Sequence, residues 1–112
     1  MKTALIVVDL QHEFINVKSN KAFLDKAFKF ISEWPEDHVF WMRYNSSPDS
    51  LFNHVLNWSK CIASPESDII QDKNVKINEI FDHWGYSLKQ EQINRLKSYK
   101  SIILMGADTD AC

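Results

Sequence analysis

Glycine is almost missing from this chain, with two in 112 residues, and three prolines are the only other strong breakers of regular structure. No glycine-rich linker, internal repeat or low-complexity tract divides the sequence, so nothing marks a second domain. Cysteine is equally sparse. Cys61 and Cys112 cannot build a multi-bridge framework and do not resemble paired zinc ligands, and reduced thiols suit a cytoplasmic protein. An excess of one charge is absent too: a net −2 offers no basic field to nucleic acid or to an anionic membrane surface. The apolar run from Ala4 to Val8 is too short for a signal segment and is closed by Asp9, and no stretch reaches membrane-spanning length. The expectation is a soluble, cytoplasmic protein with neither nucleic acid nor membrane as a partner.

What is present is enough apolar surface, 45% of residues, for one core in a single domain over residues 1–112. The stretch from Thr3 to Phe14 reads as an apolar strand that ends abruptly on an acid. Ser19 or Asn20 is placed to cap a helix through about Glu33, with Phe23, Leu24, Ala27, Phe28 and Ile31 on its apolar face and Pro35 as its stop. His38 to Arg43 reads as a second buried strand, and strand, helix, strand in this order imply a parallel crossover. Ser50 to Ser59 has a weak helical period. Lys76 to His83 reads as a third strand, Ser87 with Gln90 as a capping box for a helix through about Tyr99 bearing Leu88, Ile93 and Leu96, and Ser101 to Met105 as a final strand.

The two ends of the chain carry the chemistry. Ser101-Ile102-Ile103-Leu104-Met105 runs into Gly106 and then into a polar turn that ends on Cys112; the first strand ends as abruptly on Asp9. Parallel strands deliver such residues to the carboxyl rim of the sheet, where ligands bind in open α/β folds. A lone cysteine is usually a small buried hydrophobe, and an aspartate after a strand is often a turn cap. A carboxylate and a thiol on one rim point instead to an acid–base group and a nucleophile. Both glycines, Gly85 and Gly106, fall in turns beside candidate site residues.

Ala4-Leu5-Ile6-Val7-Val8-Asp9-Leu10-Gln11 with Phe14, and Gly106-Ala107-Asp108-Thr109-Asp110-Ala111-Cys112, resemble the opening and the nucleophile motif of the isochorismatase-like cysteine hydrolases. That resemblance implies a three-layer α/β/α fold with a parallel sheet in Rossmann-type order, of which this chain spans the N-terminal two thirds, through the fourth strand. It also implies a hydrolase that cleaves an amide-like C–N bond of a small molecule through a cysteine thioester, without a cofactor. Cys112 is then the nucleophile and Asp9 the group that takes its proton. Backbone N–H groups of Asp108 and Cys112 form the oxyanion hole, with a cis peptide between Ala107 and Asp108. Asp110 points away from the reacting atom.

Two departures qualify the resemblance. Where the family carries a lysine ahead of Gly-Tyr-Ser, this chain has His83-Trp84-Gly85-Tyr86-Ser87. His83 is therefore the expected third catalytic residue, with Lys76 and Lys73 as alternatives in a shifted register; an imidazole carries charge only when protonated. The Asp-x-His metal pair of the nicotinamidases has no counterpart, only Asp49 and His54, so no metal is expected and nicotinamide is disfavoured. Phe14, Tyr44 and Trp84 are candidates to wall an apolar pocket. The last strand would leave an apolar edge, to be covered by a homo-oligomer partner or a further chain segment. A non-catalytic binding module, or a degraded relative, is the competing reading.

Overall fold

A computed structural model describes residues 2–12, 15–45, 69–72, 75–84 and 87–106. The weak helix at Ser50 to Ser59, and Phe14, Asp49, His54, Cys61, Lys73, Gly85, Asp108, Asp110 and Cys112, lie outside the described residues.

Among the described residues the apolar runs form four parallel strands: β1 (Thr3–Val8), β2 (Val39–Tyr44), β3 (Ile80–His83) and β4 (Ser101–Gly106), in the spatial order β3-β2-β1-β4. This is the Rossmann-type order. Strand β1 lies in the middle because it is apolar on both faces, and its residues Ala4, Leu5 and Val7 are fully buried. Its register with β2 sets Val8 beside Met42, and its register with β4 sets Val8 beside Gly106. The first and last strands are therefore neighbours, with their carboxyl ends level.

Alternation along the strands feeds two cores. Leu5, Val7, Val39 and Trp41 point to one side, where helix α1 (Lys21–Ser32) packs Leu24, Phe28 and Ile31 on them. Ala4, Ile6, Phe40 and Phe81 point to the other, where helix α2 (Gln90–Leu96) contributes Leu96. Helix, sheet and helix make the three expected layers. Past α1, Pro35 opens a short 3-10 turn (Glu36–His38) that leads into β2, and the Trp34 indole N–H donates to the Thr3 carbonyl at 3.1 Å, tying the helix end to the start of β1.

Three local readings are corrected, and a fourth holds in position only. Phe23 is 43% exposed and lies off the buried stripe of α1, which is Leu24, Ala27, Phe28 and Ile31. Asn20 is the N-cap residue of that helix, as expected, but its side chain donates to the Asn16 carbonyl and not to the helix. Strand β3 begins at Ile80, not Lys76: Val75 and Ile77 pack on the core, but only from the Glu79 carbonyl onward is the backbone bonded to β2. Helix α2 spans Gln90–Leu96 and is opened not by Ser87 but by Lys89, and the Lys89 N–H donates to the Gln92 side chain at 2.9 Å. The helix is turned so that Gln92 and Leu96 face the sheet and Ile93 is exposed, because the Gln92 amide also donates to the Asp82 carbonyl.

At the opposite edge, Ile102, Ile103 and Leu104 of β4 are 44%, 40% and 65% exposed.

Beside the rim, Arg43 of β2 and Asp82 of β3 form a two-pronged pair at 2.6 and 3.0 Å, and Asn45 donates to the same carboxylate at 2.8 Å. The Arg43 hydrogen bonds hold the Asp82 carboxyl below the ordinary carboxylate range, with Asn45 adding to the effect and burial opposing it. A depressed native pKa stabilises the fold fully above the ordinary value of 3.8 and loses that contribution as pH falls through the native value. Asp82→Asn is thus expected to unfold at a lower temperature at neutral pH, with a shallower further loss on acidification below about pH 4. Parallel Tm-against-pH curves for variant and parent would contradict it.

Candidate functional site

Asp9 is where β1 leaves the sheet. Its N–H still donates to the Met42 carbonyl at 3.1 Å, as a next strand residue would, but its φ is 54°. That left-handed conformation is uncommon outside glycine and is best tolerated by Asn and Asp. The turn carries the carboxylate across the end of β2 to the last residue of β3, where the His83 Nε2 lies 2.8 Å from Asp9 Oδ1. The two side chains are 8% and 5% exposed. With the Asp9 carboxyl ionised, the ring Nε2–H donates to it, and a charge-assisted bond of this kind is among the stronger ones when water is excluded.

Tyr44, beside His83 in the β2–β3 register, stacks at a tilt with ring centroids 5.4 Å apart, and is itself buried. Trp84, the next residue, is 52% exposed, with the Lys89 ammonium 4.7 Å above its ring. Of the three aromatic residues proposed for the pocket, Tyr44 thus touches the Asp9–His83 pair, Trp84 lies at the surface and Phe14 is outside the described residues.

Lys76 lines a different feature, a cavity of about 550 Å³ with Arg43, Ile69, Asp72, Ile77 and Ile80 among its walls. Neither Asp9 nor His83 lines it. Arg43 alternates with Tyr44 along β2, so the cavity opens on the α1 side of the sheet, away from the His83 ring. Among the described residues, the candidate brought to Asp9 is His83.

Gln11 is the residue that sequence reasoning passed over. It is fully buried; the Tyr44 N–H donates to its Oε1 at 2.7 Å, and its Nε2 donates to the Tyr44 carbonyl at 3.0 Å. The Ile70 N–H bonds the Leu10 carbonyl, and Gln11 forms an antiparallel bridge with Ile69. A glutamine just past a strand gives no periodic signal of burial.

At the carboxyl end of β4, Gly106 has φ 153° and sits against β1 so closely that an added Cβ would overlap the Val8 carbonyl oxygen and lie 2.8 Å from the carbonyl carbon. The carboxyl end of β4 at Gly106 therefore lies directly beside the end of β1, where the Asp9 turn begins.

No family model matches the sequence, and no curated protein does. Solved structures do match the fold. N-carbamoylsarcosine amidase from Thermoplasma acidophilum is 19% identical, with a TM-score of 0.71 over 95% of this chain and 68% of that one. Pyrazinamidase of Pyrococcus horikoshii, in complex with zinc, is 17% identical, with a TM-score of 0.70 over 98% and 73%. An isochorismatase-like hydrolase from Alkaliphilus metalliredigens is 13% identical, with a TM-score of 0.66 over 96% and 68%. At these identities the likeness is one of fold: the chain has the isochorismatase-like fold and spans about two thirds to three quarters of the length of these structures. Zinc accompanies one of them; among the described residues here, no three His, Cys, Asp or Glu side chains converge to hold a metal.

Proposed function

We propose that this protein is a hydrolase of small amide-like compounds, working through a thioester on Cys112. The observation that carries the reading is the buried contact between Asp9 and His83 at the carboxyl rim, on the strand that neighbours the one leading to Cys112. The relatedness in fold to an amidase and a pyrazinamidase supports the bond type.

A free thiol has a pKa near 8.5 and needs a base to become a nucleophile at neutral pH. In the proposed reaction Asp9 takes the Cys112 proton and the sulfur attacks the carbonyl carbon. The N–H groups of Asp108 and Cys112 stabilise the resulting oxyanion, a kind of contact worth roughly 2.7–4 kcal/mol per donor. The C–N bond then breaks as Asp9 returns the proton to the leaving nitrogen. Water, giving a proton to Asp9, adds to the thioester; collapse releases the acid, and the proton returns to sulfur. His83 holds the Asp9 carboxylate in place and, when protonated, offsets the charge of the thiolate. A small-molecule substrate and a cover over β4, whether further polypeptide or a second copy, belong to the same proposal, as does a cytoplasmic location.

One observation favours the competing reading, a binding module without turnover: the group on Asp9 is an imidazole, with no permanent charge. Reaction with a small electrophile separates the two. Alkylation of Cys112 much faster than of Cys61, with ammonia or amine released from a panel of small amides, supports the hydrolase. Equal, slow labelling and no release supports the module. The histidine is tested by His83→Lys: turnover is expected to change by about tenfold or more, since the pair tunes the acid–base group, and identical kinetics would remove His83 from the mechanism.

A further inference from the structure

In a parallel ladder, a residue whose N–H bonds one strand neighbour offers its own carbonyl to the N–H two positions further along that neighbour. Asp9 does the first half, donating to the Met42 carbonyl, so the Tyr44 N–H should find the Asp9 carbonyl. It does not. The left-handed φ at Asp9 turns that carbonyl round to accept from the Gln11 N–H at 2.8 Å, and the Tyr44 N–H is met instead by the Gln11 side-chain oxygen at 2.7 Å. The same amide returns a bond from Nε2 to the Tyr44 carbonyl, and Gln11 is wholly buried.

We infer that Gln11 is a positioning residue for the Asp9–His83 pair: its side chain replaces the ladder bond that Asp9 gives up, and so allows the Asp9 turn that aims the carboxylate at His83. Without that replacement the Tyr44 N–H would be left buried and unbonded, or the Asp9 carbonyl would return to the ladder and swing its carboxylate away. Tyr44 stands on both sides of the argument, since its backbone is held by Gln11 and its ring packs on His83. The inference deepens the proposed hydrolase site and rests on that reading only for its consequence in turnover; the positioning itself is a matter of geometry.

The test follows the His83 ring nitrogens by NMR in parent, Asp9→Gly, Gln11→Met and Gln11→Glu proteins. Asp9→Gly removes the carboxylate while accepting the left-handed backbone, and so defines the signature of a lost contact. Gln11→Met, similar in length but without polar atoms, is expected to move the Nε2 resonance in the same direction and by a comparable amount. Gln11→Glu keeps an acceptor for the Tyr44 N–H and is expected to lie nearer the parent. A folded Gln11→Met protein with the parent's Nε2 resonance overturns the inference. If Gln11→Met does not fold, Gln11→Asn, one methylene too short to reach both Tyr44 groups, takes its place with the same two outcomes. Cys112 alkylation, measured on the same proteins, keeps the two proposals apart. Slow labelling in the parent, with the His83 signal still dependent on Gln11, would sink the hydrolase and leave the positioning role; fast labelling with no such dependence would do the reverse.

Discussion

An Asp9→Asn protein is expected to fold like its parent and to lose nearly all of its turnover and its fast reaction at Cys112. Asparagine is nearly isosteric, is as tolerant as aspartate of the left-handed backbone found at this position, and keeps an oxygen to accept from the His83 ring. What it cannot do is take a proton. General-base assistance is typically worth about 10²- to 10⁴-fold, so kcat/KM should fall by at least about a hundredfold and Cys112 alkylation should slow in parallel. Labelling of Cys61 supplies the internal control and should not change. A folded Asp9→Asn protein that turns over at the parent rate would mean that the base lies elsewhere.

The second large effect is on stability. Gly106→Ala places a methyl group where the Val8 carbonyl already lies, in a backbone conformation that L side chains rarely adopt. Strained backbone of this kind costs about 1–3 kcal/mol by itself. The overlap adds to it, because the atoms met are main chain of the central strand and cannot rotate away. At about 4–8 °C per kcal/mol for a small domain, Tm should fall by at least about 5 °C. The loss of the β1–β4 register at Val8 and Gly106 should appear as faster amide exchange there than in the rest of β1. An alanine variant with parental Tm and exchange would show that the two strand ends are not in contact.

The sheet was legible because its signals are local. Short apolar runs closed by Asp9, by Asn45 and by Gly106 announce strands buried on both faces, and Pro35 marks the end of α1. Two readings failed for the same physical reason, that a neighbouring element outvoted the local pattern. Phe23 has helical spacing from Ala27, but α1 is oriented by Leu24, Phe28 and Ile31. Ser87 and Gln90 have capping-box spacing, yet it is Lys89 and Gln92 that open α2, with the Gln92 amide bonded across to the Asp82 carbonyl. At the site, the meeting of Asp9 with His83, 74 residues apart, could be reached only through the resemblance of two motifs to a family. No periodicity carries it. Gln11 was invisible for a further reason: its role exists only because Asp9 has abandoned a ladder bond, and the sequence does not display backbone dihedrals.

The account turns on where the sulfur lies relative to the turn at Asp9. A crystal structure that includes Cys112 measures this directly. It is predicted to place the Cys112 Sγ within hydrogen-bonding distance of an Asp9 carboxylate oxygen, on the side of the carboxylate not occupied by His83. A sulfur buried in either core, or separated from Asp9 by the backbone of β4, would contradict the proposed chemistry.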